Sequence, residues 1–304
     1  MAGRRSLALA LATTRPPFLL LAPACILLGI GTAIWTGGHV TAQDVILVLL
    51  GGIAAHAAVN AFNEYFDFRS GLDLHTERTP FSGGSGTLPS HPDLAPVTFL
   101  IACATLGVAC LVGLYFLVER GPALLPIGLL GVAVVLAYTP WVTRHPTASL
   151  IAPGLGFGPL MVVGTHVALT GEYAPAAWIA SIVPFFLANN LLLLNQFPDV
   201  EADRRVGRRH LPMMLGRPRA AWVYAGILQL AYLTLLVALA LHALPLGCAL
   251  GLLTAPVAIA AAFRVVRHAD DLPALMPAMG MNVIVNLATP VLMGIGLLTR
   301  WGSV

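Results

Sequence analysis

Long apolar runs separated by short polar connectors make up most of this 304-residue chain. A helix of about 20 apolar residues is needed to cross the hydrocarbon core of a bilayer. Runs of that length predict nine membrane-spanning helices, at about 17–37, 43–66, 94–118, 122–140, 147–169, 173–197, 219–241, 245–265 and 275–298. We therefore expect an all-α polytopic membrane protein in which residues 1–304 form a single domain, one bundle of transmembrane helices.

Two of the polar connectors are much longer than the others, at about 67–93 and 198–218. Long connections among short ones usually carry function. They follow the second and the sixth predicted helix, so both lie on the same side of the membrane. We expect them to form a cap over an active site.

The sixteen basic residues are all arginine, and their placement assigns the two sides of the membrane. With a cytoplasmic N-terminus, fourteen fall in cytoplasmic segments and only Arg120 and Arg300 lie outside. Cytoplasmic loops of membrane proteins carry such an excess of positive charge. We expect a multi-pass protein of the inner (cytoplasmic) membrane, with the N-terminus and both long loops in the cytoplasm and the C-terminus outside.

Composition narrows the function. Hydrophobic residues make up 58% of the chain and charged residues 10%, whereas soluble domains are about one quarter charged. This contrast excludes a soluble enzyme, a disordered protein and a nucleic-acid binder. The lipid bilayer is an expected partner, and no feature of the sequence indicates an obligate protein partner.

Amide and carboxyl side chains cluster at the cytoplasmic end of the second predicted helix. Residues three and four apart share one face of a helix, and this spacing brings together Asn60, Asn63, Glu64 and Asp67. Ser70-Gly71 then breaks the helix, and we expect Asp73 to fold back toward the same face.

A second cluster stands at the cytoplasmic end of the sixth predicted helix. Asn195, Asp199 and Asp203 are four residues apart and share one face. The densest basic group of the chain follows directly, at Arg204, Arg205, Arg208 and Arg209.

Two such faces suit the binding of a magnesium diphosphate. Mg²⁺ prefers oxygen ligands and binds through a few carboxylates together with substrate phosphates. Arginine forks bind phosphate oxygens in pairs. The alternative is that both clusters are solvated loop charges with weak local ion pairs, but the matched spacing on two helix ends favours a shared site.

The motifs resemble those of UbiA-type membrane prenyltransferases. That family carries an Asn-x-x-x-Asp motif continued by a further Asp, and a second Asp-x-x-x-Asp motif. The counterparts here are Asn63-Glu-Tyr-Phe-Asp67 with Asp73, and Asp199-Val-Glu-Ala-Asp203. The runs at 65–73 and 156–161 are most similar to those of 1,4-dihydroxy-2-naphthoate polyprenyltransferases, although Glu64 stands where many relatives have Asp and the loop 78–86 departs from the commonest pattern.

The resemblance implies a cofactor, two substrates and a set of site residues. The cofactor is Mg²⁺, and the substrates are a prenyl diphosphate and an aromatic acceptor. The implied metal ligands are Asn63, Asp67, Asp73, Asp199 and Asp203. The residues expected to act on the reacting groups are Asp67, Asp199, Tyr138 and Arg144. The candidates for substrate binding are Asn60, Arg69, Arg78, Arg144, Arg204, Arg208, Asn190 and Asn195.

The expected function is Mg²⁺-dependent transfer of a polyprenyl group to 1,4-dihydroxy-2-naphthoate or a similar acceptor in quinone biosynthesis. Other acceptors stay open: 4-hydroxybenzoate, homogentisate, a tetrapyrrole or a glycerol phosphate. A secondary transporter is the alternative outside the enzyme class, but transporters carry ionisable residues near the midplane, and the acids here collect at the helix ends. We also expect an internal cavity that opens sideways to lipid.

Two features have two interpretations each. Asn190 either forms interhelical hydrogen bonds, as buried amides commonly do in membranes, or lines the acceptor pocket. The Gly83–Gly86 run either offers backbone N–H groups to phosphate or is an ordinary flexible loop.

Overall fold

The computed structural model describes residues 2–74 and 78–299, with side chains from residue 6 onward, and every element in these ranges is helical. The helices are α1 (Ala2–Ala12), α2 (Leu21–Trp35), α3 (Ala42–Arg69), α4 (Thr87–Ser90), α5 (Ala95–Arg120), α6 (Leu124–Ala137), α7 (Pro146–Leu155), α8 (Gly164–Thr170), α9 (Pro175–Arg205), α10 (Leu211–Leu215), α11 (Arg217–Ala240), α12 (Ala255–Arg267) and α13 (Leu272–Leu298). A π-helix joins α7 to α8 at Gly156–Val163. Short 3₁₀ segments are Pro16–Leu20, Leu72–Leu74, Pro92–Leu94, Val142–Arg144 and Leu246–Thr254. The predicted all-α class is confirmed.

Eight of the described helical segments are long and apolar enough to span a membrane. They are Pro16–Trp35, Ala42–Arg69, Pro92–Arg120, Pro146–Thr170, Pro175–Arg205, Arg217–Ala240, Leu246–Arg267 and Leu272–Leu298. The chain is therefore a polytopic membrane protein.

The predicted span at 122–140 is the exception. Its helix, α6, has 14 residues, or about 21 Å at 1.5 Å per residue, short of a bilayer core of about 30 Å. Gly121 stands at φ +92° before it, and Pro140 disfavours a helical conformation of Thr139 behind it. The count of nine spans and the cytoplasmic cap stay predictions.

Helix α3 is about 42 Å long at 1.5 Å per residue and separates two polar ends. It begins with a capping box in which Asp44 N donates to Thr41 Oγ1 at 3.1 Å and Thr41 N to Asp44 Oδ2 at 3.0 Å. At this end Arg120 Nη2 pairs with Asp44 Oδ2 at 3.2 Å. The other end carries Asp67, and Gly71 at φ +79° turns the chain back.

The assignment of these ends to the two sides of the membrane rests on the arginine pattern and stays a prediction. Arg300, one of the two arginines expected outside, lies beyond the described residues, as do the side chains of Arg4 and Arg5.

Small residues let the helices approach closely, as in other membrane bundles. A Cβ placed on Gly296 of α13 would lie 2.1 Å from the carbonyl oxygen of Gly247. Polar contacts join the helices elsewhere: Asn190 Nδ2 donates to Tyr224 O at 2.8 Å, and Tyr224 Oη donates to Asn282 Oδ1 at 3.1 Å. Asn190 therefore forms interhelical hydrogen bonds, which is the first of the two interpretations given for it above.

The close approach at Gly296 leads to a stability prediction. We expect Gly296→Ala to lower the free energy of unfolding by about 1–3 kcal/mol, because overpacking against a fixed backbone displaces the helices. The matched control is Gly226→Ala in α11, where an added Cβ meets no atom within 4 Å and should stabilise by about 0.5–1 kcal/mol. Thermal unfolding in detergent measures both, and equal midpoints for the two variants would contradict the prediction.

Candidate active site

Side chains of both sequence motifs line one cavity of about 760 Å³. Asn63 and Asp67 reach it from the last turns of α3, and Asp199 and Asp203 from the last turns of α9. The 3₁₀ turn Leu72–Leu74 follows the break at Ser70-Gly71 and brings Asp73 to the same cavity. The expected fold-back of Asp73 is therefore present.

Arg208 links the two motifs directly. Its Nη2 donates to Asp67 Oδ1 of the first motif, and its Nη1 to Asp203 Oδ1 of the second at 3.4 Å. The imidazole Nε2 of the buried His210 lies 3.2 Å from the other oxygen of Asp203. Asp67 and Arg208 are 141 positions apart in the sequence, so the ends of the two long loops meet at one end of the bundle.

Arg15 forms a second polar group beside the first motif. Its Nε donates to Glu64 Oε1 at 2.7 Å and its Nη2 to Asn63 Oδ1 at 3.1 Å. Asn63 Nδ2 in turn donates to Asp67 Oδ2 at 2.9 Å and to Thr139 Oγ1 at 3.3 Å. Both amide atoms of Asn63 are thus held in place by neighbouring side chains.

The polar end of the cavity carries an excess of acid. Four carboxyl groups line it, from Asp67, Asp73, Asp199 and Asp203, together with two guanidinium groups, from Arg15 and Arg208. Burial, and after it the charges of Asp67 and Glu64, raise the pKa of Asp73 to about 8. Asp73 Oδ2 and Asp199 Oδ1 are buried and accept no hydrogen bond from the described residues. A cation bound beside these acids would lower their pKa and favour the ionised carboxylates.

The acidic side chains face a common space without closing around one point. Within residues 2–74 and 78–299, no three His, Cys, Asp or Glu side chains are grouped tightly enough to enclose a metal ion. The guanidinium of Arg208 instead lies against Asp67 and Asp203. This donor set fits Mg²⁺, which keeps several non-protein ligands and binds through a few carboxylates plus substrate phosphates. The two unpartnered oxygens of Asp73 and Asp199 are available for it.

The remaining walls of the cavity are mostly apolar and include residues of α5 and α6. Leu114 and Leu129 line the cavity and are 54% and 62% exposed. Gly113, Gly128 and Gly131 line the same part, and a Cβ on any of them would meet no atom within 4 Å. This open packing between α5 and α6 favours the expected sideways opening to lipid, which stays a prediction.

The cavity is also lined by three other candidates from the sequence: Asn60, Tyr138 and Asn195. Asn60 Nδ2 donates to Thr14 O at 2.9 Å, which ties α3 to the residues before the first span.

Five candidates do not line the cavity. Asn190 is buried in the helix contacts described above, and the other four are exposed arginines: Arg69, Arg78, Arg144 and Arg204. Arg204 pairs with Glu201 at 3.2 Å, and Arg78 Nη1 donates to Ser85 O at 3.4 Å.

Arg15, Ser82 and His210 line the cavity although the sequence patterns did not single them out for binding. Gly83 and Gly84, from the glycine run considered for phosphate binding, line it as well. Arg15 directly precedes Pro16-Pro17 and the first apolar run, where a basic residue is expected from charge placement alone. Its pairing with Glu64, 49 positions away, is a long-range contact for which no local spacing exists.

Fold and site together define a polytopic membrane protein with a two-motif carboxylate site above an apolar cavity. The model of the UbiA prenyltransferase family matches residues 21–284, and the chain belongs to this family. It is a prenyltransferase, as the resemblance implied, and the transporter alternative falls away.

Several relatives carry the name 1,4-dihydroxy-2-naphthoate octaprenyltransferase. The one from Escherichia coli K12 is 27% identical over 307 residues, 96% of each chain. The one from Mycobacterium tuberculosis H37Rv is 28% identical over 252 residues, 82% of each chain. The one from Bacillus subtilis 168 is 30% identical over 179 residues, 58% of this chain and 56% of that relative.

Solved structures share the fold. An apo UbiA homologue from Aeropyrum pernix K1 superposes with a TM-score of 0.72 at 18% identity, covering 93% of this chain and 98% of that one. A UbiA homologue from Archaeoglobus fulgidus bound to GPP and Mg²⁺ gives a TM-score of 0.67 at 17% identity, with 96% and 99% covered.

The expected sideways opening leads to a prediction about chain length. We expect Gly128→Phe to lower kcat/KM for a long prenyl diphosphate relative to geranyl diphosphate by about tenfold or more, since a few lost methylene contacts are each worth about 1–3 kcal/mol. The ring enters open space, so the fold should be retained. Gly226→Phe, whose position is open but outside the cavity, is the control. An equal change for both chain lengths would count against the opening as the path of the prenyl chain.

Proposed function

We propose that this prenyltransferase moves a polyprenyl group from a prenyl diphosphate to 1,4-dihydroxy-2-naphthoate or a similar aromatic acceptor in quinone biosynthesis. The proposal places the reaction at the cytoplasmic face of the inner membrane and gives it Mg²⁺ as cofactor. The observation that carries it is the cavity itself, which combines unpartnered carboxylate oxygens at one end with walls that are mostly apolar elsewhere. The names of the relatives and the GPP- and Mg²⁺-bound homologue support it.

The residues that would hold Mg²⁺ are those of the two motifs: Asn63, Asp67, Asp73, Asp199 and Asp203. When bound, the metal neutralises the diphosphate and stabilises the negative charge that develops as it leaves. Asp73 and Asp199 each have one carboxyl oxygen without a hydrogen-bond partner among the described residues. Asp67 and Asp203 are paired with the guanidinium of Arg208, which an ion held at their oxygens would replace.

Two arginines inside the cavity are in a position to bind the diphosphate. Arg15 and Arg208 line it, and each guanidinium carries five N–H donors in a fork that matches phosphate oxygens. If an ion replaced it at Asp67 and Asp203, the guanidinium of Arg208 would have its N–H donors available for phosphate. We therefore assign diphosphate binding to Arg15 and Arg208 in preference to the exposed Arg78, Arg144 and Arg204.

The chain positions the reacting carbon below the diphosphate. The allylic C–O bond breaks and its electron pair leaves with the diphosphate, so the prenyl carbon becomes cationic. The π-faces of Tyr138, Phe81 and Phe157 line the cavity and stabilise a cation in a dry site. A ring carbon of the acceptor supplies the electron pair of the new C–C bond, and a proton or carbon dioxide departs.

The acceptor needs hydrogen-bond partners close to the carboxylates. Ser149, Gln196 and His210 form a buried polar wall of the cavity, and Gln196 Nε2 donates to Ser149 Oγ at 3.1 Å. This wall continues from Asp203 through His210, so ring hydroxyl groups bound there would face the prenyl carbon. We propose it as the acceptor side of the site.

The test is prenyl transfer in membranes that contain the protein. Membranes are incubated with Mg²⁺, labelled prenyl diphosphate and a panel of acceptors, and the products are identified. We expect transfer to 1,4-dihydroxy-2-naphthoate that is lost on chelation of the metal. A prenylated 4-hydroxybenzoate, homogentisate or tetrapyrrole as the main product would instead identify a different acceptor.

Substitution of the motif carboxylates is the sharper prediction. Asp67→Ala and Asp199→Ala should each lower transfer by at least about 100-fold, because one lost stabilising group in a water-poor site costs about 10²–10³ in rate. Asp93→Ala is the control, since Asp93 is exposed and does not line the cavity. Transfer by both motif variants at the rate of the unaltered protein, with matched expression, would refute the assignment.

A further inference from the structure

Glu64 lies within the first motif but does not face the reaction. It is fully buried, at 0% exposure, and it is not among the residues that line the cavity. It stands between Asn63, which lines the cavity, and the loop at residues 79–86. A carboxylate this deeply buried requires paired donors to stay charged.

Three donors occupy the Glu64 carboxylate. Oε1 accepts from Arg15 Nε at 2.7 Å and from Ser85 N at 2.6 Å, while Oε2 accepts from Ser85 Oγ at 2.7 Å. One side chain of α3 thus ties the residue before the first span to the glycine-rich loop. We call this group of Arg15, Glu64 and Ser85 the clasp.

The clasp sets the position of the loop above the carboxylates. Gly84 stands at φ +73°, and a Cβ on it would lie 3.0 Å from Glu64 Oε1, 3.4 Å from Arg15 Nη2 and 3.6 Å from Asp73 Oδ1. Backbone therefore lies directly over the acid groups, and Ser82, Gly83 and Gly84 line the cavity. An ordinary flexible loop would not explain why the backbone at Gly84 packs this closely against the acid groups.

The clasp also orients Arg15. With Nε fixed on Glu64 and Nη2 on Asn63 Oδ1, the plane of the guanidinium is set by two contacts, and its remaining N–H groups are left for the cavity. The backbone of Arg15 stands at φ +53°, a left-handed conformation that is unfavourable for a residue with a side chain. Contacts that hold the side chain in place hold this conformation as well.

We propose that Glu64 is a positioning residue for diphosphate binding. It acts through Arg15 and the Gly83–Gly84 backbone, which it holds at the head of the cavity, and it takes no part in metal ligation because its oxygens are occupied. The inference rests on the proposed function in one respect, the location of the diphosphate at this end of the cavity.

The experiment compares Glu64→Gln and Ser85→Ala with the unaltered protein. Glutamine keeps the shape but replaces one accepting oxygen with a donor. Alanine removes the contact to Oε2 together with the hydrogen bonds of the Ser85 hydroxyl to Thr87, and it keeps the Ser85 N contact to Oε1. Two measurements are made on the purified full chain in detergent: the Kd of inorganic diphosphate with Mg²⁺ by titration calorimetry, and kcat and KM for each substrate. Glu201→Gln is the matched control, because Glu201 is exposed and outside the cavity.

We expect Glu64→Gln to weaken diphosphate binding at least about tenfold, because it removes charge-assisted hydrogen bonds that hold both Arg15 and the loop. KM for the prenyl diphosphate should rise in parallel and KM for the acceptor should stay unchanged. Ser85→Ala should show a smaller shift of the same kind. The double variant should be no worse than Glu64→Gln alone, because both remove one shared contact.

An unchanged Kd in Glu64→Gln overturns the proposal, and so does a fall in kcat with both KM values retained. If Glu64→Gln does not fold, Ser85→Ala decides, since it keeps the Arg15–Glu64 pair, and an unchanged Kd there overturns the proposal. Failure of the proposed site has a different signature: the unaltered protein binds no diphosphate, or Asp67→Ala binds it as tightly as the unaltered protein.

Discussion

Carboxyl groups kept away from water at the end of an apolar bundle are the constraint on which this structure depends. Ionised acids that crowd one another in a poorly hydrated space raise each other's pKa and repel, and the folded chain supplies only part of the opposite charge. Arg208 bridges Asp67 and Asp203, and Arg15 neutralises Glu64. Asp73 and Asp199 are left with unpartnered oxygens. The fold thus brings the acids together and leaves their neutralisation incomplete, which is the state that a divalent cation and its diphosphate would complete.

The helical fold and the acidic half of the site were predictable from the sequence, because both follow from local spacing. Apolar length predicts spanning helices, and four-residue spacing places Asn63 beside Asp67 and Asp199 beside Asp203. The span at 122–140 shows the limit of this argument. The segment is apolar over that length, but Gly121 before the helix and Thr139-Pro140 after it restrict the helix to Leu124–Ala137. Restrictions on the backbone at these positions make the helix shorter than its hydropathy alone indicates.

The basic half of the site was not predictable in the same way. The excess of arginine in cytoplasmic loops says nothing about the direction in which each side chain points. By this criterion Arg144 and Arg208 are equivalent in the sequence. In the structure Arg144 is exposed, whereas Arg208 turns inward, and the difference comes from a tertiary contact with Asp67. Arg15 is an equivalent case, since its partner Glu64 belongs to another helix. Long-range pairings of this kind depend on how segments distant in the sequence pack together, which no local spacing reveals.

Arg15 and Arg208 would respond differently to the binding of a metal diphosphate. Arg208 holds the carboxylates of Asp67 and Asp203, so an ion bound at these oxygens would displace it and leave its charge available to phosphate. Arg15 is held by Glu64, which does not line the cavity, so an ion bound by the motif acids would leave this contact in place. Under the proposed function, the fixed guanidinium of Arg15 would help to set where the diphosphate binds, and the exchangeable guanidinium of Arg208 would neutralise the acids until it arrives. Glu64 underlies this difference, because it gives Arg15 a carboxylate partner outside the cavity.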